Sequence, residues 1–275
     1  MIKVLFVCHG NICRSPMAQY VFQDIVTKAG LSKYFQIDSA ATSTEEIGNS
    51  VYPPAVKMLN MHGIKNINHK ARQIDKYDYK QFSLIKVMDN NNLSNILHMT
   101  DYDPDGKISL LLKNENIEDP WYSGNFLKVF NLIEKGCKNL FNDVLNYKGF
   151  SLSTETDKKV FSIYCALFDL WSRKTCATRM QNKWTALNRT LGQCSVTSFL
   201  VQDLLGGDVY GTAHEDGSIH CFNVINNKVY DLTSAQLNKY ENYDNGVLQS
   251  REVHFLKEEK YNRYLLLKSL YFNSI

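Results

Sequence analysis

The fold of this chain is decided by residues 2–16, which read IKVLFVCHGNICRSP. Residues 2–7 form a nearly unbroken apolar run, which is typical of a parallel strand covered on both faces. Ser15 is predicted to cap the helix that follows, with Pro16 at its first position. Apolar residues then recur at helical spacing until Gly30 ends the helix, and they are Ala18, Val21, Phe22, Ile25 and Ala29.

The same alternation continues outward from this stretch. Further apolar strands are predicted over residues 35–40, 83–88 and 107–112. Helices are predicted over 53–63, which opens on two prolines, and over 126–145, which is amphipathic. Strands that alternate with helices indicate a parallel sheet with helices on both faces. The first half is therefore predicted to be an α/β domain with a doubly wound parallel sheet.

The segment 8–15 connects the first strand directly to the first helix. Backbone N–H groups in such a loop converge in front of the positive helix end, which suits a phosphate group. Helix N-termini and cations stabilise a thiolate, so Cys8 is the candidate nucleophile. The planar guanidinium of Arg14 can hold two phosphoryl oxygens. Attack of Cys8 on phosphorus would give a phosphocysteine, and Ser15 could donate to the sulfur. The other candidate phosphate-binding residues are His9, Gly10, Asn11, Ile12 and Cys13.

A purely structural interpretation of this segment is the alternative. Cysteine, glycine and arginine near a strand end are common in proteins, and a bare C-x5-R match is a weak signal. Here the spacing of the residues, the strand before the segment and the helix after it are all those expected of a catalytic phosphate-binding loop. That agreement favours the catalytic interpretation.

The first half resembles the low-molecular-weight protein tyrosine phosphatases, which open with a strand followed by C-x-G-N-I-C-R-S-P. The resemblance covers residues 1–147. It implies a flavodoxin-like fold and hydrolysis of phosphotyrosine-containing protein substrates, with no metal or other cofactor. Glu45 stands where eukaryotic members carry an aromatic residue. Further matches lie in segments 38–43, 62–64, 69–73, 88–89 and 118–122.

The resemblance also assigns roles outside the loop. It implies that Asp119, in a D-P-aromatic segment, is the general acid and later the general base, because a tyrosyl leaving oxygen needs a proton. An isolated Asp-Pro pair would usually be only a turn. The remaining implied residues are Trp121 and Tyr122 as an aromatic wall, Ser39 and Asn11 as residues that shape the loop, and His69 as a support for Asn11.

Arsenate reductase is the minor alternative for this half, because thioredoxin-coupled enzymes of that type share the fold. Those enzymes need two further cysteines near the third strand to relay a disulfide. Residues 74–136 contain no cysteine. The sequence therefore favours the phosphatase.

The character of the chain changes near residue 150. Residues 149–159 are mostly small, polar and turn-prone, which is typical of a linker. The predicted domains are thus 1–148 and 160–275, the second being a smaller α+β domain. Its pattern reads helix, helix, short strands with turns, and then a charged tail rich in Tyr, Leu and Lys.

Three residues of the second half suggest a thiol site. Cys194 begins an apolar helical pattern, and helix N-termini favour a thiolate. The strands around Asn226-Asn227 form a predicted hairpin that places His220 and Asp231 on one face. A cysteine on a helix, with a histidine and an aspartate on adjacent strands, is the arrangement found in papain- and transglutaminase-like thiol enzymes. The alternative is a buried core cysteine beside a chance His–Asp pair, since cysteine is among the most buried residue types.

This half also resembles the uncharacterised YunG-type family over residues 160–240. The residues that carry the likeness include Gly192-Gln193-Cys194, Gly206-Gly207, His220, Asn223 and Asp231-Leu232-Thr233. Because the family supplies no known activity, two roles stay open. The second domain is either a thiol hydrolase or transferase, which makes the protein bifunctional, or a non-catalytic targeting module that binds a protein partner.

The composition of the chain narrows the classes of protein to which it can belong. With 44% hydrophobic and 21% charged residues, the 275-residue chain is an ordinary folded protein. A net charge of +3 without a basic stripe argues against a nucleic-acid partner. No apolar run reaches the roughly 20 residues of a membrane span, and no leader is apparent, so we expect a cytoplasmic protein without a membrane partner. Seven cysteines without metal-ligand spacing are expected to be free thiols.

Overall fold

The computed structural model describes residues 1–237 and 241–274. The chain divides into two compact units, Met1–Val144 and Leu145–Ile275. Within the described residues, no helix combines the length and the apolar character needed to cross a bilayer.

The first unit is built on a four-stranded sheet in the order β2-β1-β3-β4, with every pair parallel. Helices pack on it, so the predicted doubly wound α/β fold is confirmed. The strands are β1 Ile2–Cys8, β2 Phe35–Ala41, β3 Leu84–Val87 and β4 Ile108–Leu110. The helices are α1 Arg14–Lys28, α2 Pro53–Met61, α3 Lys76–Gln81, α4 Asn90–Met99, α5 Pro120–Ser123 and α6 Phe126–Val144, with a 3-10 turn at Ser32–Tyr34.

Strand β1 lies at the centre of this sheet, and its side chains are buried on both faces. Phe6 packs edge-on against Phe22 of α1, with ring centroids 5.7 Å apart. Leu5 and Val7 belong to the cluster on the opposite face, together with Ile96 of α4. Such burial explains the nearly continuous apolar run of the strand. Cys8 therefore emerges at the carboxyl edge of the sheet, where ligands bind in folds of this kind.

The start of α1 differs from the prediction. The helix begins at Arg14, with Cys13 at the capping position and no side-chain cap. Ser15 is thus the second helical residue rather than the cap. Its hydroxyl lies 3.1 Å from the sulfur of Cys8, and so it serves the loop instead of the helix end.

Three helices of this unit, α3, α4 and α5, were not predicted, and each is capped by an aspartate. Asp75 and Asp78 form a capping box around α3, and Asp89 accepts from the backbone of Asn92 at the start of α4. Helix α3 spans only Lys76–Gln81 and is largely polar, which leaves too few residues for a helical period to be recognised. The capping aspartates were the sequence features that could have indicated these helices.

The second unit contains a four-stranded antiparallel sheet in the order β7-β6-β5-β8 with helices beside it, and so the expected smaller α+β unit is confirmed. Its strands are β5 Asp208–Ala213, β6 Ile219–Ile225, β7 Lys228–Tyr230 and β8 Val247–Leu248. Its helices are α7 Glu155–Leu170, α8 Cys194–Leu205, α9 Arg251–Phe255 and α10 Glu258–Ser274. Short 3-10 turns lie at Thr178–Lys183, Ala186–Asn188, Ser234–Gln236 and Tyr243–Asn245.

The predicted hairpin between β6 and β7 is confirmed. Ile225 pairs with Lys228 across a two-residue turn. Asn226 and Asn227 have φ angles of 52° and 61°, as a two-residue turn with positive φ at both positions requires. The register places Asp231 directly after β7, beside the middle of β6.

The segment for which a linker is predicted, 149–159, is partly structured. The carbonyl of Lys148 accepts a hydrogen bond of 2.9 Å from the backbone N–H of Asp231, so the chain pairs with the end of β7. Helix α7 then begins at Glu155, where Thr154 and Asp157 form a capping box. The polar residues of this segment therefore cap a helix and form turns, in addition to serving as a spacer.

The charged tail of the sequence folds into α9 and α10. Tyr264, Leu267 and Tyr271 of α10 are buried, although lysine and glutamate residues surround them in the sequence. Because those charges interrupt the apolar pattern, the helix was not recognised from its period. Its polar side chains instead contribute to the candidate site of this unit.

Gly149 supplies a test of this packing. Its φ is +92°, and a Cβ there would lie 2.2 Å from the carbonyl oxygen of Val229 in β7, whereas Gly217, with φ +74°, has open space around it. Alanine is disfavoured at both positions because their backbone is in the left-handed region, but only Gly149→Ala must also displace β7. We expect its unfolding free energy to fall by about 1–3 kcal/mol more than that of Gly217→Ala in urea denaturation. Equal losses would contradict the close approach.

Candidate active site

The loop between β1 and α1 is folded around the sulfur of Cys8. The backbone N–H of Asn11 points to this sulfur at 3.3 Å, and the Ser15 hydroxyl lies 3.1 Å from it. Asn11 adopts a φ of 57°, in the left-handed region. That turn of the backbone allows the loop to curl around one point, which is how backbone N–H groups form an anion-binding nest.

A buried hydrogen-bond network holds the loop from behind. The Asn11 side-chain amide donates to the hydroxyls of Ser15 and Ser39, each at 2.9 Å. Its carbonyl oxygen accepts from the backbone N–H of Arg72 and from Nε2 of His69, both at 3.1 Å. Burial lowers the pKa of His69, which favours the neutral ring that can donate in this contact. Every polar atom of the Asn11 side chain is therefore engaged.

Arg14 is buried at the start of α1 and holds two carboxylates. Nη1 donates to Asp89 at 2.5 Å and to the carbonyl of Ile117 at 3.0 Å, while Nη2 donates to Asp119 at 2.5 Å. Burial alone would lower the pKa of Arg14, but Cys8, Asp119 and Asp89 outweigh it and raise that pKa. Among the described residues, its Nε–H has no hydrogen-bond partner. A buried guanidinium thus keeps one donor for an incoming anion.

The cavity at this loop has a volume of about 70 Å³. Asp119 caps the short helix α5 by accepting from the backbone of Trp121, so its carboxylate is fixed at the rim. Trp121 packs on Tyr52, with ring centroids 4.8 Å apart, whereas Tyr122 is 85% exposed. The residues that line the cavity are Cys8, His9, Gly10, Ile12, Cys13, Arg14, Glu45, Glu46, Asp119, Trp121 and Tyr122.

The predicted residues of this half thus form two groups. The predicted nucleophile, the arginine, the predicted acid and the two aromatic residues meet at one cavity, and Asn11, Ser15, Ser39 and His69 lie behind it. No role was predicted for Asp89, which binds Arg14, or for Glu46. Asp89 lies two residues beyond the end of β3, the neighbour of β1, so its position at the carboxyl edge of the sheet was the signal that could have identified it.

Comparison with known proteins decides the family of this chain. Residues 3–150 match the family model described as "Low molecular weight phosphotyrosine protein phosphatase". The chain belongs to the low molecular weight phosphotyrosine protein phosphatase family. The expected enzyme class, a protein-tyrosine phosphatase, is thereby confirmed for the first unit, hereafter the phosphatase unit.

Several relatives are similar to the phosphatase unit over nearly their whole length. The low molecular weight protein-tyrosine-phosphatase YfkJ of Bacillus subtilis is 36% identical over 154 residues, which are 54% of this chain and 99% of that protein. The low molecular weight phosphotyrosine protein phosphatase of Sus scrofa is 41% identical over 151 residues, covering 52% and 95%. The crystal structure of YfkJ superposes with a TM-score of 0.51 at 37% identity, covering 52% of this chain and 94% of that one.

The second unit matches the family model of the YunG protein over residues 159–274. The expected fusion of a phosphatase with a YunG-type unit is therefore confirmed. The match extends beyond the 160–240 on which the resemblance was recognised, and it includes helix α10.

In the second unit, the structure brings together the three predicted residues. Cys194 is the first residue of α8, and its sulfur lies 3.8 Å from the carbonyl oxygen of Ile219 on β6. His220 is the next residue of β6, and its Nε2 lies 2.6 Å from Asp231. Asn223 of β6 donates to the carbonyl of Ser198 at 2.9 Å, which fixes α8 on this strand. Cys194 is partly exposed, and the six other cysteines of the chain are buried.

The charges of these side chains influence one another. Contacts with the thiol of Cys221 and with His220 outweigh burial and hold the pKa of Cys194 well below its usual value. Burial alone would lower the pKa of His220, but its hydrogen bonds with Asp231 and Cys194 raise it to about 10. The lowered pKa of Cys194 and the raised pKa of His220 both favour a thiolate beside an imidazolium. Within the described ranges, no group of three or more His, Cys, Asp or Glu side chains is arranged to hold a metal ion.

The network behind the phosphatase loop can be tested through Asn11. Asn11→Gly removes its side chain but keeps a residue suited to positive φ, so buried partners lose their hydrogen bonds, and the unfolding free energy should fall by about 1–3 kcal/mol. Asn11→Ala should cost about 1–2 kcal/mol more, because alanine resists the left-handed region. Urea denaturation gives both values, with kcat/KM measured alongside.

Exposed Asn66 is the matched control, since its φ is 60°. Asn66→Ala should show only the backbone cost, and Asn66→Gly should be nearly neutral. A loss in Asn11→Gly no larger than in Asn66→Gly would show that the side-chain network contributes nothing.

Proposed function

We propose that the phosphatase unit hydrolyses phosphotyrosine in proteins through a phosphocysteine at Cys8, with Arg14 as the phosphate clamp and Asp119 as the acid and then the base. The observation that carries this proposal is the convergence of a thiol, a buried guanidinium with a spare N–H and a carboxylate on one small cavity. The relatives are named as phosphotyrosine phosphatases, which supports the same substrate class.

Binding of the phosphoryl group depends on a competition for Arg14. Its Nη2 is held by Asp119, while its Nε–H has no partner among the described residues. Asp119 must be protonated to act as an acid, and a neutral carboxyl attracts a guanidinium less than a carboxylate does. The phosphoryl oxygens then take over the donors of Arg14. Asp89 continues to hold Nη1, so the planar group keeps its orientation.

In the first chemical step, the thiolate of Cys8 attacks phosphorus and the bond from phosphorus to the tyrosyl oxygen breaks. The electron pair of that bond goes to the leaving oxygen, which takes the proton of Asp119. The backbone N–H of Asn11 and the hydroxyl of Ser15 stabilise the thiolate. The products of this step are a free tyrosyl hydroxyl, phosphocysteine and an Asp119 carboxylate.

In the second step, the Asp119 carboxylate takes a proton from water as the water attacks the phosphocysteine. The sulfur–phosphorus bond breaks, and inorganic phosphate leaves. Cys8 is a good leaving group because the same two donors receive its returning charge. Asp119 ends protonated, ready for the next substrate.

The mouth of the cavity accommodates the tyrosine ring. Trp121, supported by Tyr52, forms one wall, and exposed Tyr122 extends it. On the other side Glu45 lies 3.0 Å from Nε2 of His9, a polar pair where eukaryotic relatives were expected to carry an aromatic residue. We infer that the ring is held mainly by the Trp121 wall.

We further propose that the protein works in the cytoplasm, where reactive thiols stay reduced.

For the second unit, two roles were left open: a thiol enzyme or a targeting module with a protein partner. The arrangement of Cys194, His220 and Asp231 favours the enzyme.

The nucleophile is tested with Cys8→Ser. A serine hydroxyl is far less acidic than a thiol and is not activated by the loop, so hydrolysis of 4-nitrophenyl phosphate should fall by at least about 100-fold. Binding of inorganic phosphate, measured by calorimetry, should persist. Cys137→Ala removes a buried core thiol of the same unit and should keep its activity. Turnover in Cys8→Ser close to that of the unchanged protein would refute the mechanism.

The acid is tested with Asp119→Asn on aryl phosphates with good and poor leaving groups. Only poor leaving groups need the proton, so the variant should slow them by about 10²–10⁴-fold and good ones much less. Asp89→Asn is the matched control because it also loosens Arg14 but donates no proton to the leaving group. It should slow both classes equally. A leaving-group effect shared by both variants would contradict the role of Asp119.

A further inference from the structure

The second unit contains a cavity of about 650 Å³ that the phosphatase reaction does not use. Cys194 and His220 both line it. We propose that this cavity is a thiol acyl-transfer site, in which Cys194 attacks the carbonyl carbon of an anionic ester, thioester or amide, His220 exchanges the protons and Asp231 orients His220. The site shares no residue with the phosphatase unit.

The position of the sulfur supports this proposal. Cys194 opens α8, a helix of 12 residues, so the helix end favours a negative sulfur. It is the one cysteine of the seven that is not buried, and the cavity gives a substrate access to it. Contacts with Cys221 and His220 lower its pKa, which agrees with the geometry. An inert core thiol would have the opposite properties.

The position of the base is equally specific. Nε2 of His220 is occupied by Asp231, at 2.6 Å, and so the other ring nitrogen, Nδ1, is the one that serves Cys194. Asp231 is buried and accepts three further hydrogen bonds of 3.0 Å, from the backbone and hydroxyl of Thr233 and from the hydroxyl of Tyr243. These donors hold its carboxylate still, and a fixed carboxylate fixes the imidazole ring.

The loop before Cys194 is braced from other parts of the unit. Gly192 has a φ of +66°, and a Cβ there would lie 2.9 Å from the sulfur of Cys176, so the close turn requires glycine. Its N–H donates to Gln236 at 3.0 Å. Arg263 of α10 donates to the carbonyl of Thr175 at 3.1 Å and reaches that of Gly192 at 3.5 Å. The nucleophile therefore stands on a rigid support, as catalysis requires.

The reaction balances without a cofactor or oxidant. The thiolate forms a bond to the acyl carbon, the bond from that carbon to the alcohol, thiol or amine breaks, and the leaving atom takes the proton of His220. The enzyme is left with a thioester on Cys194 and a neutral His220. His220 then takes a proton from water or another acceptor nucleophile, which attacks the thioester, releases the acyl product and restores the thiolate–imidazolium pair.

The charge of the cavity indicates the kind of acyl group. Of the described residues that line it, four are Lys or Arg and two are Asp or Glu. Glu259 is paired with Arg263 at 2.6 Å, and Asp216 lies 3.9 Å from Arg179. The remaining positive charge rests with Lys257 and Lys260, which follow α9 and open α10. An acyl group that carries a carboxylate or another anion fits this wall.

The first experiment measures the reactivity of Cys194 in the full chain carrying Cys8→Ser. Iodoacetamide is added at about pH 6, where an ordinary thiol of pKa about 8.5 is almost wholly protonated. The labelling rate of Cys194, followed by peptide mass spectrometry, should be at least about tenfold higher in the folded protein than in urea. Slower labelling in the folded protein would overturn the proposal, because a merely buried thiol is protected by folding.

The second experiment measures acyl transfer with two probes of equal chain length, mono-4-nitrophenyl glutarate and 4-nitrophenyl valerate. Each should release 4-nitrophenolate and leave its acyl group on Cys194. With the release seen in a Cys194→Ser variant subtracted for each ester, because the glutarate also expels 4-nitrophenolate by forming its own cyclic anhydride, the anionic glutarate should react faster, and Lys257→Glu should abolish that preference. No thioester on Cys194 would overturn the acyl-transfer proposal, and equal rates for the two probes would overturn its anionic part.

Variants of the base complete the test. His220→Gln and Asp231→Asn should each lower the acylation rate by at least about tenfold, and Asp231→Asn should also shift the pH at which labelling of Cys194 begins. His98→Gln is the matched control, because His98 is an exposed histidine of the phosphatase unit and does not line this cavity. It should leave the rate within about twofold. Circular dichroism identifies any variant that fails to fold, and a folded His220→Gln with an unchanged rate would refute the proposal.

Discussion

A buried guanidinium must be paired, and this requirement organises the phosphatase unit. Arg14 is almost wholly inaccessible, and an isolated charge in that position would cost many kcal/mol of solvation. Asp89 from the end of β3 and Asp119 from the start of α5 supply the compensation. The same contacts join the loops after separate strands at one edge of the sheet. In the proposed mechanism, folding and phosphate binding therefore depend on the same side chain, Arg14.

The two units place a cysteine against a helix start in different ways. Cys8 ends a strand, and the loop that follows wraps it with N–H and O–H donors before α1 begins. Cys194 is itself the first residue of its helix, and its partner is an imidazole on a neighbouring strand. The first arrangement is suited to an anion with several oxygens, because its donors converge. The second is suited to a carbonyl group, because it can move a proton to the leaving atom.

Local signals predicted a large part of this architecture. The apolar run of β1, the loop that follows it and the Asn226-Asn227 turn are each specified by a short stretch of sequence. Each is found where expected, except that α1 begins one residue before Ser15. The hairpin register was enough to place His220 beside Asp231, because pairing across a two-residue turn has a fixed period. The resemblance, rather than the pattern, supplied Asp119 and His69, which lie far from the loop in the sequence.

The features that were missed depend on contacts between distant segments. Asp89 meets Arg14 across 75 residues, and Tyr243 meets Asp231 from a separate turn. Helix α10 has an apolar stripe interrupted by charges, and its Arg263 braces Thr175 across 88 residues. Ser15 was assigned to a helix cap because capping is the commoner use of serine at such a position. Its contact with the sulfur of Cys8, by contrast, was expected from the sequence, and the two atoms lie 3.1 Å apart.

The pairing of Lys148 with Asp231 determines where this polypeptide can be divided. The YunG match starts at residue 159, which invites a truncation at that point. Such a cut would remove the backbone carbonyl that accepts from Asp231, the close contact of Gly149 with β7 and the Thr154–Asp157 cap of α7. A stand-alone second unit should therefore begin no later than Leu145, the residue at which its compact body starts. The family boundary and the physical boundary of this unit are different places in the chain.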